Sequence, residues 1–212
     1  MGQNTAWRIC ETSQKIIKDL IEKYDIPRPI ALYMAARGIV SETASAYLNP
    51  LLRSLSDPYL LIGVREASER LWSAILKKQK ILVFGDYDVD GITSSTLLKT
   101  TLEAHGADAD VFIPHRFDDG YGFTSSSLDK SLNSAKYSLI VTVDCGISSF
   151  EAVEEANKKN VDIIITDHHE PQGGIPKAHT VINPKLHQSL ESLQILSGVG
   201  VCFKLCHGFM KY

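Results

Sequence analysis

The feature that most constrains the fold is a change of rhythm at Lys80, after which short apolar runs alternate with helical segments. The runs are ILVFG at 81–85, ADVFI at 109–113, SLIVTVD at 138–144, VDIIIT at 161–166 and HTVIN at 179–183. Strands that alternate with helices pair in parallel, and uninterrupted apolar strands are covered on both faces. The sequence therefore predicts an α/β fold with a Rossmann-like, five-stranded parallel sheet flanked by helices.

The residues before this change predict helices only. Apolar residues recur at helical spacing from Ile16 to Ile21, and two prolines, Pro27 and Pro29, end that pattern. Shorter helical segments follow at 29–38 and 41–50, and an amphipathic one spans 64–80. We therefore expect a helical leader over residues 1–79 and an α/β domain over residues 80–212, whose last helix begins near 198.

Composition limits the class of protein. The chain of 212 residues is 44% hydrophobic and 22% charged, and no apolar run approaches the roughly 20 residues that cross a bilayer. Four scattered cysteines do not form a disulfide framework, so we expect a reduced, cytoplasmic protein. Residues 1–80 carry 12 Lys and Arg against 8 acidic residues, whereas residues 81–212 carry 10 against 17. Bound divalent cations would offset part of that acidic excess.

Acidic and histidine residues follow three of the predicted strands. The carboxyl ends of parallel strands meet at one edge of a sheet, where ligands bind. We therefore expect one site at that edge, formed by Asp86, Asp88, Asp90, Asp144, Asp167, His168 and His169. Several carboxylates with two histidines suit Mn²⁺ or Mg²⁺ better than zinc. Two such ions are common in phosphoester hydrolysis. A single Asp at a strand end more often caps a helix, but three such clusters favour the metal site.

Other residues suit a nucleic-acid substrate. In PHRFDDGYG, Arg116 is a candidate for holding a phosphate and Tyr121 for stacking on a base. Thr93 and Ser94 open a helix, which is a natural place for an anion. A glycine-rich turn with a structural Tyr, and ordinary helix capping, remain the alternatives for these two segments.

Six segments, in order, resemble motifs of the DHH phosphoesterase family, and within it those of exonucleases specific for single-stranded DNA. They are VFGDYDVDGITSS, IPHRFDDGYGF, VTVDCGI, TDHHEP, VINPK and LSGVGVCFKL. The resemblance covers most of residues 81–207, and ARGI, YLNP and LSDPYLL in the leader are similar to the same group. A DHH triplet alone would be weak evidence, whereas six ordered motifs are specific.

The resemblance implies roles for individual residues. The implied metal ligands are Asp86, Asp88, Asp90, Asp144 and His168. Asp144 is implied to bridge two ions, and Asp86 is implied to bind metal directly or through water. His169 is the implied phosphate-facing catalytic residue, and Asp167 orients its neighbours. Many relatives carry a His at the position of Phe84, so one ligand of the wider family is absent.

The implied function is a metal-dependent 5′-to-3′ exonuclease on single-stranded DNA, acting in DNA repair and recombination. Single-strand-binding or repair proteins are the expected partners, and no membrane is involved. A DHH phosphodiesterase for short oligoribonucleotides or cyclic dinucleotides is one alternative. A nucleic-acid-binding scaffold without catalysis is another.

The same resemblance leads us to expect a further Asp motif and a second, DHHA1-type domain beyond LSGVGV, which this sequence lacks. We therefore expect an incomplete DHH domain with weakened metal binding and low or no nuclease activity. An exposed apolar face around Val201, Phe203, Leu205 and Phe209 is expected to favour self-association.

Overall fold

The computed structural model describes residues 11–115, 122–186 and 191–212. Its five parallel strands lie in the order β2-β1-β3-β4-β5. Their bounds are β1 Ile81–Gly85, β2 Ala109–Phe112, β3 Leu139–Val143, β4 Asp162–Thr166 and β5 Thr180–Ile182. Each strand coincides with a predicted run, so the sheet and the α/β class are confirmed.

The helices also follow the helical segments of the sequence, with small differences at their ends, except for the short α8, which was not predicted. Those of the first 80 residues are α1 Gln14–Tyr24, α2 Arg28–Ala36, α3 Ala44–Leu48 and α4 Val64–Leu76, with short 3₁₀ turns at Leu52–Ser54 and Pro58–Leu60. Those that follow are α5 Val89–Ala104, α6 Ser125–Leu132, α7 Phe150–Lys158, α8 Glu191–Gln194 and α9 Gly198–Lys211.

Helices cover both faces of the sheet. Side chains alternate between the faces of a strand, so Val83 and Val141 join a core with α4, α5 and α9, while Leu82 and Ile140 join a second core with α6 and α7. Burial on both faces explains why the strand sequences are apolar throughout. At the start of β4, Arg70 of α4 binds Asp162 through a 2.7 Å ion pair.

The prediction that the last helix exposes an apolar face is wrong. Val201, Leu205 and Phe209 are fully buried, and Phe203 is half-buried. The reason is that α9 packs against α4 and α5, and Trp72 of α4 stacks on Phe209 with ring centroids 4.8 Å apart. This face is therefore part of the core and is not free for self-association.

The chain divides into two compact units, one up to Ser56 and one from Asp57 to Tyr212. In the first, α1 to α3 enclose a core of Ile17, Leu20, Ala31, Met34 and Ala44. The second contains the sheet together with α4, which the helical pattern of the sequence assigned to the leader. The domain boundary at 79/80 stays a prediction. Among the described residues no helix is both long and apolar enough to cross a membrane.

Candidate metal centre

The predicted site residues follow three adjacent strands, β1, β3 and β4. The first loop is bracketed by glycines because the start of α5 lies against the end of β1. A Cβ at Gly91 would lie 2.3 Å from the Asp86 carbonyl oxygen, and a Cβ at Gly85 would lie 2.1 Å from Ser95 Oγ. Within the loop Asp86 is buried, and exposed Asp88 caps α5 by accepting a 2.9 Å hydrogen bond from the Gly91 amide.

Asp144 follows β3 in an unusual environment. Its φ is +62°, a left-handed conformation that is uncommon for a residue other than glycine. Its side chain is 1% exposed, and Oδ1 has no hydrogen-bond partner within the described residues. His168 Nε2 lies 3.3 Å from this oxygen. Burial, then the nearby charge of Asp88, raises the pKa of Asp144 to about 8.

Two groups of candidate ligands meet at Asp144. One contains Asp86, Asp88 and Asp144, and the other contains Asp144, His168 and His169; in each, one ligand atom per residue lies within 4.8 Å of the others. A carboxylate shared by two groups suits two neighbouring cations. The buried Asp144 Oδ1, which has no hydrogen-bond partner among the described residues, also fits a cation, because a buried anion needs a counter-charge. The donor set of carboxylates and imidazoles fits Mn²⁺ or Mg²⁺.

Asp167 organises the loop after β4. Its Oδ1 accepts hydrogen bonds from the His168 amide at 2.7 Å, the His169 amide at 3.1 Å and His169 Nδ1 at 2.7 Å. Its Oδ2 accepts from the Ile147 amide at 3.0 Å. These bonds join Asp167 to His168, His169 and Ile147 and leave Nε2 of the His169 ring for another partner; a role for Asp167 in orienting its neighbours stays a prediction.

Asp90 lies apart from both ligand groups in this arrangement. Its carboxylate accepts from the amides of Gly198, at 3.1 Å, and Val199, at 3.4 Å, at the start of α9. A Cβ at Gly198 would lie 2.0 Å from Asp144 Oδ1. The glycine in LSGVG therefore lets α9 approach the site closely. A role for Asp90 as a metal ligand stays a prediction.

The residues predicted to bind nucleic acid differ in their exposure and in whether the structure describes them. Thr93 is exposed and its hydroxyl donates to the Val89 carbonyl. Ser94 is fully buried, so it does not offer a phosphate a direct contact here. Its carbonyl instead accepts from the Cys202 thiol of α9. Arg116 and Tyr121 lie outside the described residues.

Two further positions complete the site. Phe84, the position at which the family resemblance implies a His in many relatives, is buried and packs against Phe112 and Phe123. Asn183, which the sequence did not single out as a site residue, is buried after β5 and donates from Nδ2 to the His169 carbonyl at 2.9 Å. Its only signal in the sequence was its place in VINPK.

A cavity of about 670 Å³ lies beside His169, on the side of α6 and α7. Phe123 and Phe150 supply aromatic surface, and hydroxyls come from Thr124, Ser125, Ser126, Ser148 and Ser149. This size is typical of cavities that hold small ligands such as a nucleotide.

Comparison with known proteins shows the family to which the chain belongs. The model of the DHH family N-terminal domain matches residues 80–212. The chain belongs to the DHH family. Among its DHH relatives, the single-stranded-DNA-specific exonuclease RecJ of Bacillus subtilis is 36% identical over 99% of this chain and 27% of its own length. RecJ of Thermus thermophilus is 38% identical over 81% of this chain and 26% of its own length. The chain therefore spans about a quarter of the length of these relatives.

Solved structures of DHH proteins show the same fold. An exonuclease RecJ bound to manganese has a TM-score of 0.66 and 37% identity, over 71% of this chain and 38% of its own. RecJ of Thermus thermophilus with Mn²⁺ has a TM-score of 0.74 and 30% identity, over 94% of this chain and 27% of its own. The Mg²⁺ complex from the same organism has a TM-score of 0.60. Both metals predicted from the sequence are therefore found in related structures.

Proposed function

We propose that this chain carries the phosphodiester-hydrolysing site of a metal-dependent exonuclease that digests single-stranded DNA from the 5′ end. The proposal rests on the environment of Asp144. Its buried carboxylate belongs to both candidate ligand groups, and one of its oxygens has no hydrogen-bond partner among the described residues. The similarity to single-stranded-DNA-specific exonucleases RecJ supports the substrate, and the 5′ direction is part of the proposal.

Asp86, Asp88, Asp144 and His168 are the residues proposed to hold Mn²⁺ or Mg²⁺, with Asp90 beside them. Bound divalent ions supply positive charge to phosphate oxygens and acidify water. The raised pKa of Asp144 agrees with this role. A carboxyl group that is hard to ionise alone becomes a strong ligand once a cation is present, because the cation offsets the cost of its buried charge.

His169 is proposed to act on the phosphate. Its Nδ1–H donates to Asp167, which fixes the ring and leaves Nε2 to exchange a proton or a hydrogen bond with a phosphate oxygen. Its side chain is 46% exposed and lines the cavity beside the metal centre. The aromatic and hydroxyl groups of that cavity suit the base and sugar-phosphate of a terminal nucleotide.

Several finer roles belong to the same proposal. Arg116 and Tyr121 position the strand through a phosphate and a base, and Thr93 contacts the backbone from the start of α5. The protein acts in the cytoplasm, in DNA repair and recombination, beside single-strand-binding or repair proteins.

The proposal is tested by single-turnover assays with the chain in excess over 5′-labelled DNA, so that a slow reaction remains visible. We expect Mn²⁺-dependent release of labelled mononucleotide from single-stranded but not duplex DNA, and no release by Asp144→Asn. Preferential cleavage of a short oligoribonucleotide or a cyclic dinucleotide would replace the DNA substrate with the alternative one. Tight Mn²⁺ and DNA binding without any hydrolysis would indicate a scaffold and contradict the enzyme.

A further inference from the structure

We propose that Asn183, the first residue after β5, is a positioning residue that fixes the geometry of His169. This inference rests on the proposed function for the importance of His169, but not for the contact itself. Asn183 is 2% exposed, and its Nδ2 donates to the His169 carbonyl oxygen at 2.9 Å. It touches the loop through the main chain of His169 and lies in neither group of candidate metal ligands.

The orientation of the Asn183 amide is set by its other partner. Its Oδ1 accepts from the Lys185 amide at 2.9 Å, across Pro184, which has no N–H to offer. Because Oδ1 is engaged in this turn, the NH₂ group is the end that faces the His169 carbonyl. The VINPK sequence thus contains both parts of the contact: an amide that donates to the loop and a turn that holds this amide in place.

Asn183 continues the sheet by means of a side chain. The β4–β5 pairing ends at Thr166 and Ile182, and one further hydrogen bond joins the Asp167 amide to the Ile182 carbonyl at 3.0 Å. Beyond that point the main chains no longer pair, and the Asn183 side chain makes the next connection, to His169. Since β5 is the edge strand, this contact supports the loop from its outer side.

His169 needs this support because packing holds its ring on one side only, where the ring of His168 lies with its centroid 4.6 Å away. The side chain is 46% exposed, whereas the Asp167 side chain to which it is bonded is 1% exposed. His169 is held at its amide and at Nδ1 by Asp167, and at its carbonyl by Asn183. Loss of the carbonyl anchor frees the peptide after His169 to rotate, and this weakens the bond from Nδ1 to Asp167 that selects the tautomer.

The test is the ring ¹⁵N spectrum of His169 at pH 8.5, where imidazole is mostly neutral. In the parent chain we expect one tautomer with the proton on Nδ1. Asn183→Ala should move both nitrogen shifts toward the average of the two tautomers, while the Kd for Mn²⁺ changes less than threefold. Asn183→Asp keeps the size and the acceptor for Lys185 but loses the donor, so it should give the same shift even if the Ala variant fails to fold.

The matched control is Asn157→Ala. Asn157 also donates from Nδ2 to a main-chain carbonyl 20 residues away, that of Lys177, at 2.9 Å, but it is exposed and remote from the loop. It should leave the His169 spectrum unchanged. Parent-like His169 shifts in Asn183→Asp, or an equal change in Asn157→Ala, would overturn the proposal.

An activity measurement separates this inference from the proposed function. If the parent chain digests single-stranded DNA, Asn183→Asp should lower kcat about tenfold with KM nearly unchanged. If the parent chain hydrolyses no substrate even in single-turnover assays, which would reveal the low activity expected of it, the proposed function fails, but the tautomer spectrum still decides whether Asn183 positions His169.

Discussion

At the scale of single residues, the fold places the carboxyl group of Asp144, a proposed metal ligand, where ionisation is costly. Its side chain is almost fully buried and Asp88 lies nearby, so the negative form is costly and the pKa is raised to about 8. An acidic group whose pKa rises on folding stabilises the folded protein at pH values below the pKa that the group has in the unfolded chain, which is near 4. That contribution is lost as the pH rises through 8, because the folded protein must then bury a charge.

We therefore expect the metal-free protein to lose stability, relative to its Asp144→Asn variant, as the pH rises from about 5 to 8. The difference should grow by at most about 1.4 kcal/mol per pH unit and level off above pH 9. Denaturant unfolding of both proteins in EDTA measures it. Parallel stability curves for the two proteins would show that Asp144 ionises normally.

The neighbouring histidines should separate metal binding from catalysis. His168 Nε2 approaches the buried Asp144 oxygen at 3.3 Å, whereas the Nδ1 of His169 is engaged by Asp167. We expect His168→Ala to weaken Mn²⁺ binding at least tenfold. His169→Ala should lower the rate about 10²- to 10⁴-fold, the usual range for a lost acid or base, with Mn²⁺ binding largely kept. Calorimetric titration decides, and equal losses of metal affinity would contradict this assignment.

At the scale of elements, the start of α9 lies against the candidate metal centre. Gly198 is the residue that permits it, since an added Cβ would lie 2.0 Å from Asp144 Oδ1 and 2.9 Å from Asp144 Cβ. Rotation of the carboxylate alone does not relieve the second contact. Gly198→Ala should therefore push α9 away, destabilise the protein by about 1–3 kcal/mol and weaken Mn²⁺ binding at least tenfold without removing a ligand.

Gly200→Ala is the control in the same helix. Its added Cβ would lie 3.1 Å from Leu196 Cδ2 and 3.3 Å from Leu196 Cβ, so a shift of a few tenths of an ångström in this half-buried loop residue relieves both contacts. Because Ala favours a helix over Gly by up to about 1 kcal/mol, this variant should be neutral or slightly more stable. Thermal melts with and without Mn²⁺ compare the two variants. A similar response of both would mean that the contact with Asp144 is unimportant.

These elements also show what the sequence could reveal. The five strands were predictable because burial on both faces requires uninterrupted apolar runs, and the site followed because parallel strands present their carboxyl ends at one edge. The contact of Gly198 with Asp144 was not predictable, since it joins residues far apart in the chain through the packing of α9. The burial of Ser94 and of the α9 apolar face was missed for the same reason: both depend on a neighbouring helix that periodicity does not identify.

At the scale of the whole molecule, the position of α4 bears on where the unit that contains the sheet begins. This helix precedes the strand–helix alternation, and the family match starts only at residue 80. Yet Val64, Ala67, Leu71 and Ala74 of α4 belong to the core that contains the sheet and α9. Two polar contacts add to the packing: the Arg70–Asp162 ion pair, and a 3.0 Å hydrogen bond from Trp72 Nε1 to the Phe209 carbonyl.

We therefore expect residues 57–212 to fold as a unit, whereas residues 80–212 should not. Burial of Val64 and Leu71 alone is worth about 1.5–3 kcal/mol each, which is comparable with much of the stability of a small domain. Without α4, one face of α9 and part of the sheet would be exposed, and the start of α9 would no longer be held beside Asp144.

Far-UV circular dichroism melts with and without Mn²⁺ compare the two fragments. The longer one should melt cooperatively, at a higher temperature when Mn²⁺ is present, because an ion that binds only the folded state stabilises it. Equal cooperative melting of the shorter fragment, with the same response to Mn²⁺, would show that the unit begins at the strand pattern and that α4 only accompanies it.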